Sequence, residues 1–203
     1  MTDTRLLIEQ AAMKGVRIHG LNGVRVQHIS KLSGMTASSI YTYFDGKDDL
    51  MAACFERVDR QIAALFDQIA ITKKEMKDNP EEAVRRLWLP YYQWLVAHPD
   101  ETVFYHLFRD DPGFTAFNAK RDYSYFAGFI KIISDFRSVY PNLGGMENDI
   151  LWIHVLTETV LYAKYVVEGT LPNTADTENA IFEFLMYGLN GIVIGKQGSR
   201  KRS

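Results

Sequence analysis

Residues 25–50 read RVQHISKLSGMTASSIYTYFDGKDDL, and their spacing decides the fold. Val26, Ile29 and Leu32 recur at helical spacing and lead into Ser33-Gly34, where glycine can take the left-handed conformation of a sharp turn between helices. Thr36 stands where it can cap a further helix. That helix, about Ala37 to Phe44, buries Ile40 and Phe44 at i and i+4 and leaves Ser38, Ser39, Tyr41, Thr42 and Tyr43 for another face. Two short helices hinged at a glycine and leading into a third form a helix-turn-helix, the device that presents a helix to the DNA major groove.

On the N-terminal side, Leu7, Ala11, Ala12 and Val16 form the apolar face of a first helix, followed by Gly20-Leu21 and by Val26-x-x-Ile29-Ser30. The pattern continues through Ser33-Gly34-Met35 and Ile40-Tyr41-x-Tyr43-Phe44 to Lys47-Asp48-Asp49-Leu50. On these residues, about the first quarter of the chain, the sequence resembles the TetR family of one-component bacterial transcription regulators. It departs at Val16, where a Phe is usual, at Arg25, where Ser or Thr often caps the second helix, and at Ser30, where Ala is typical. These departures weaken capping or packing without shifting the register.

The resemblance implies an all-α fold of about nine helices. Residues 1–48 would form a three-helix DNA-binding domain, 49–198 a larger helical domain for effector binding and dimerisation, and 199–203 a basic tail carrying Arg200-Lys201-Arg202. It also implies that Arg25 and Gln27 on the second helix face DNA, with Thr36, Ala37, Ser38, Ser39, Tyr41, Thr42 and Tyr43 at the third and Lys47 just beyond. Tyr41, Tyr43, Ser39 and Lys47 suit phosphate contacts that fix register, whereas Gln27, Ser38 and Thr42 can reach base edges. The alternative for Tyr41 is a packing role with its hydroxyl in solvent. A homodimer would place two such helices in successive major grooves, so the double-stranded operator should be a near-palindrome.

Composition is that of an ordinary water-soluble protein: 203 residues, 47% hydrophobic and 24% charged, with a net charge of −2. The overall charge argues against strongly non-specific nucleic-acid binding, but residues 25–47 carry Arg25, Lys31 and Lys47 against Asp45 alone. Salt-dependent binding through a modest basic patch is expected. No apolar run is long enough to span a membrane, and the start MTDTRLLIEQ lacks the pattern of a secretion signal, so cytoplasmic residence is expected. The single Cys54 cannot form an internal disulfide and should pack as a small apolar residue, a redox sensor being the sharper alternative.

Further along, the spacing predicts a fourth helix from about Lys47 to Ile71, striped by Leu50, Cys54, Val58, Ile62, Leu65 and Ile69. Asn79-Pro80-Glu81-Glu82 starts a fifth, in which Pro90 must kink or end the helix. A short sixth runs through Phe104 to Arg109, a seventh from Phe117 to Tyr140, an eighth from Met146 to Glu168 and a ninth from Asp176 to Ile194. Gly188, Gly191 and Gly195 share one face of the last helix, where another helix can approach closely; the resemblance makes that a dimer interface. The alternative is packing within one subunit.

His154, Glu158 and Tyr162 succeed each other at i, i+4 and i+8. If they point inward they bring three hydrogen-bonding groups to an aromatic cavity, the composition of a small-molecule site; pointing outward, they are a surface pair. Trp88, Tyr92, Phe108 and Phe129 are candidate walls, which suggests an apolar or aromatic effector. The function expected is a ligand-responsive repressor that leaves its operator when the effector binds, with control by a protein partner as the alternative. An enzyme or metal site built from His98, His106 and His154 with Asp100, Asp110, Asp111 and Glu158 lacks any tight ligand or nucleophile motif. No catalytic residue, metal or cofactor is expected.

Overall fold

The computed structural model describes residues 3–140 and 153–194, with backbone alone for Ile153 and 187–194. Among the described residues every regular element is helical. They are α1 (Thr4–His19), α2 (Val26–Ser33), α3 (Ala37–Tyr43), α4 (Lys47–Asp67), α5 (Lys73–Asp78), α6 (Pro80–Ala97), α7 (Pro99–Arg109) and α8 (Phe114–Asn118). A 3₁₀ turn (Ser124–Phe126) precedes α9 (Ala127–Val139); a π-helical turn (Ile153–Thr157) runs into α10 (Glu158–Val167), and α11 spans Ala175–Ile194. No described helix is long and apolar enough to cross a membrane. Packing divides the chain into two compact units, one of residues 1–62 with 95–123, the other of 63–94 with the chain from 124 onward. Residues 95–123 group with the helix-turn-helix because α7 packs on α1.

In the first unit, α1 buries Ile8, Ala11, Ala12, Met13 and Val16, and α2, α3 and α4 contribute Ile29, Ile40, Phe44, Leu50, Cys54 and Val58 to the same core. A Cβ on Gly15 would come within 2.9 Å of the Val24 side chain, so the absence of one lets the start of α2 approach α1. Glu9, only 5% exposed, is held between Arg5 and Arg57 at 3.2 Å each. Arg17 of α1 pairs with Asp100 of α7 at 3.0 Å.

The second unit is built on aromatics. Trp88 and Tyr91 of α6 are buried, and each satisfies its polar atom within the unit: the Trp88 indole donates to Thr159 Oγ1 at 2.9 Å and the Tyr91 hydroxyl to the Leu156 carbonyl at 3.1 Å. Phe66, Phe126, Phe129, Phe182 and Leu185 complete the surroundings of that core.

Several helix ends differ from the sequence expectation. Helix α4 stops at Asp67 rather than near Ile71, because Thr72 and Glu75 form a reciprocal capping box that starts the unexpected α5. The Thr72 N–H and hydroxyl, with Arg86, hold the Glu75 carboxyl down at about 2. Along α4, Phe66 is buried while Leu65 is only half-buried, as is Ile69 beyond the helix end. Pro90 does not end α6; it lies on an exposed face, where a carbonyl deprived of its N–H partner can be hydrated.

Helix α7 starts at Pro99, with acids in its first turn, rather than near Phe104. The expected helix from Phe117 to Tyr140 is broken: α8 ends at Asn118, the Lys120 and Arg121 N–H groups donate to the Phe117 and Asn118 carbonyls in a closing turn, and the Asn118 side chain accepts from the Tyr123 hydroxyl and from Arg121. The expected turn at Pro141 to Gly145, the start of the eighth helix near Met146, Trp152 and the tail 199–203 lie outside the described residues.

Replacing Thr159 by Val should leave the buried Trp88 N–H without its acceptor and cost about 1–3 kcal/mol in urea unfolding, while Ser at the same place restores most of it. Equal stability of the Val and Ser variants would refute this bond as a support of the second unit.

Candidate nucleic-acid interface and effector-site residues

The turn between α2 and α3 is made by Gly34 at φ 72, ψ 8, its N–H donating to the Ser30 carbonyl. The Met35 N–H then donates to Ser33 Oγ at 3.2 Å, and the Thr36 hydroxyl accepts the Ser39 N–H at 3.1 Å, capping α3. The Ser38 and Ser39 hydroxyls lie 2.9 and 2.8 Å from the same Thr36 oxygen. Thr36 is therefore a cap first, and any reach toward a ligand is secondary. Ile40 and Phe44, each 2% exposed, fix the roll of α3. What remains outward is Tyr41 at 56% and Tyr43 at 41%, together with Ser38 and Thr42. Ala37 and Ser39 are half-buried.

At the start of α2, Arg25 and Gln27 are exposed. The capping weakness suggested by Arg25 is met by a residue that the motif does not single out: His28 Nδ1 accepts the Arg25 N–H at 3.2 Å. Its place three residues after the cap is the signal that could have found it. The His28 ring stacks on His19 at 4.0 Å between centroids. Desolvation, then repulsion by His19, Arg25 and Lys31, lowers the His28 pKa below its ordinary value. Lys47 turns its ammonium to the Leu21 carbonyl at 2.7 Å, bracing the turn between α1 and α2, and Asp49 accepts the Asp45 N–H at 3.0 Å.

Of the seven residues expected to surround an effector, Phe108 lies in the first unit and the other six in the second. Trp88 and Tyr92 are buried and stacked at 4.8 Å. Burial, then the Glu178 carboxylate, pushes the Tyr92 hydroxyl upward. Phe129 packs on Phe66 at 4.5 Å, and Phe66 on Tyr91 at 5.6 Å. His154 and Glu158 form a pair at 3.3 Å, with His154 Nε2 2.9 Å from the Leu185 carbonyl. Tyr162 meets Phe184 edge-on at 6.4 Å.

Gly188 and Gly191 fall within α11; their surroundings, and Gly195 altogether, lie outside what is described. One turn earlier on the same helix, Phe184 is 64% exposed. His106 pairs with Asp110, and no group of three or more His, Cys, Asp or Glu residues with metal-binding placement occurs among the described residues. Cys54 is fully buried, and its thiol is pushed well up by that burial and by Glu9, which suits packing rather than redox sensing.

Residues 8–54 match the family described as bacterial regulatory proteins, tetR family. Over 97 residues the chain is 32% identical to the HTH-type transcriptional repressor NicS of Pseudomonas putida, a match covering 48% of this chain. It spans less than half of that relative, 44% of its length. A TetR family transcription regulator of Marinobacter aquaeolei shares the fold with a TM-score of 0.67 at 18% identity, over 90% of this chain and 93% of that one. A TetR-family regulator of Haemophilus influenzae gives 0.65 at 19% identity over 91% and 94%, and the fatty acid degradation regulator FadR of Bacillus halodurans 0.61 at 16% over 89% and 96%. Residues 8–54 thus carry the helix-turn-helix that the tetR-family model describes, and the all-helical fold around it is similar to the folds of these regulators.

Proposed function

We propose that the chain is a sequence-specific DNA-binding transcription regulator acting as a homodimer, a repressor that a small molecule releases from its operator. The observation that carries this reading is the two-sidedness of α3: Ile40 and Phe44 are locked into the core while Ser38, Tyr41, Thr42 and Tyr43 stay outward beside exposed Arg25 and Gln27. On this proposal residues 1–48 engage DNA, 49–198 sense the effector and dimerise, and the protein works in the cytoplasm. Tyr41, Tyr43 and Arg25 hold phosphates; Gln27, Ser38 and Thr42 read bases, with Ala37 close behind. Lys47 has donors beyond the one given to Leu21 and can add a phosphate contact. Repression is supported by the name of the Pseudomonas putida relative.

An effector site in the second unit would use Trp88, Tyr92, Phe129, His154, Glu158 and Tyr162. The paired, partly exposed His154 and Glu158 suit a polar rim better than a sealed floor. A dimer face on α10 and α11, extending to Gly188, Gly191 and Gly195, is supported by the exposure of Phe184.

Selection from random duplexes should enrich a near-palindrome whose half-sites are about 34–36 Å apart. Gln27→Ala should relax one position and cost about 1–3 kcal/mol there. Arg25→Ala should weaken all sequences alike and lower the salt slope by about one. Absence of any enriched motif from folded dimer would sink the reading. Phe184→Glu should shift the protein toward monomer in analytical ultracentrifugation; an unchanged dimer would remove α11 from the interface.

His28 supplies a pH dependence. Its folded pKa is lowered, so the unfolded chain takes up the proton more readily, and stability rises with pH across that window. The contribution is complete above about pH 6.5 and is lost as pH falls from there toward the folded value. Thermal unfolding should therefore show a decline on acidification that His28→Gln, which keeps an acceptor for the Arg25 N–H, flattens. Identical pH profiles for the two proteins would contradict this role.

A further inference from the structure

We propose that the first unit contains a binding site for organic cations, at present filled by the chain's own Arg121. Asp59 of α4 is a carboxylate only 1% exposed. It accepts the Tyr105 hydroxyl and pairs with Arg121, whose side chain is itself only 5% exposed. Around that guanidinium stand three rings, with its central carbon 4.7 Å from the centroid of Phe55, 4.8 Å from Tyr123 and 5.6 Å from Phe117. Phe55 in turn stacks on Tyr105 at 4.6 Å and meets Phe108 at 5.1 Å. A single buried carboxylate in an aromatic box is the chemistry that recognises a weakly hydrated cation, because ring faces and the carboxylate attract it together while offering little to an anion or a neutral polar group.

The box has a fixed side and a removable one. Phe55 and Asp59 sit on α4, Tyr105 and Phe108 on α7, both long helices packed into the core. Arg121 and Tyr123 come from residues 121–123, which lie outside any helix, and Phe117 from the five-residue α8. Arg121 reaches the box from the least supported segment around it, as a tethered ligand would. A free cation of the same character, planar like guanidinium and carrying an apolar group, can take its place, and Arg121 can then move to water. Phe108, expected from the sequence to be an effector wall, belongs to this box rather than to the second unit.

The inference rests on the reading of the chain as an effector-responsive DNA-binding regulator and adds a ligand site in the first unit, distinct from the effector site proposed in the second. The test uses the full chain with benzamidinium, its near-isosteric neutral counterpart benzamide, and benzoate. Arg121→Ala empties the box and takes the guanidinium away from Asp59. Benzamidinium should raise the melting temperature of this variant more than that of the wild type, and should bind it about tenfold more tightly by calorimetry, since the guanidinium paired with Asp59 is gone while Arg109 stays at the outer face of Tyr105. Benzamide and benzoate should do neither. Equal stabilisation by benzamide, or none by benzamidinium, would overturn the proposal and leave a structural ion pair.

If Arg121→Ala does not fold, Phe117→Ala in the otherwise native chain removes one wall and keeps the pair. Wild-type affinity for benzamidinium should then fall about tenfold, and undetectable wild-type binding or unchanged affinity would overturn the proposal. Duplex selection without any probe separates the two readings: DNA selected but benzamidinium not bound defeats the cation site alone, and benzamidinium bound with no DNA selected defeats the regulator reading alone.

Discussion

The outward face of α3 depends on the anchoring of its inward one. Ile40 and Phe44, one helical turn apart, are both sealed into the core that α1 organises, and Arg5 of α1 lies over the Phe44 ring at 4.6 Å. With those two side chains fixed, the helix cannot roll. Gly34 sets the angle at which α3 leaves α2, and Thr36 ends the turn by capping. Seven residues of helix would be marginal alone. Here they are held at both ends and along one side, which makes the hydroxyl and phenol groups opposite a rigid surface.

Helix α1 is also the floor of a second contact. It packs on α7, with Arg17 and Asp100 paired across the seam, and the first unit thus joins the helix-turn-helix to residues 95–123. Because α4 carries Leu50, Cys54 and Val58 in that core and Asp59 beside Tyr105 of α7, an occupant of the aromatic box would act on the same helices that position α3. Under our proposal, such an occupant changes DNA binding only to the extent that it prefers one arrangement of α4 and α7 over another.

The helix-turn-helix was legible because its determinants are local: a glycine that must be left-handed, a capping threonine and an apolar pair at i and i+4. The same holds for the start of α6, where the Asn79 side chain accepts the Glu82 N–H at 3.2 Å. Failures came where side chains compete with the backbone or act at long range. The Thr72 and Glu75 box started a new helix although the apolar stripe of α4 continued, and a turn after Asn118 interrupts a helix whose periodicity looked sound. Density of aromatics could not assign Phe108 and Trp88 to different units. Nor does anything near Asp59 in sequence announce Arg121 or Tyr105, since only folding brings them together. His28 was readable in principle, but imidazole is an uncommon acceptor at the third position of a helix.

The DNA-binding reading turns on α3 and the start of α2 forming the DNA-reading surface. Hydrogen exchange of the full protein, free and bound to the duplex that it selects for itself, addresses this without assuming any effector. New protection should concentrate at residues 25–28 and 36–43, with the interior of the second unit little changed. Protection confined to other segments, with residues 36–43 exchanging as in the free protein, would contradict it.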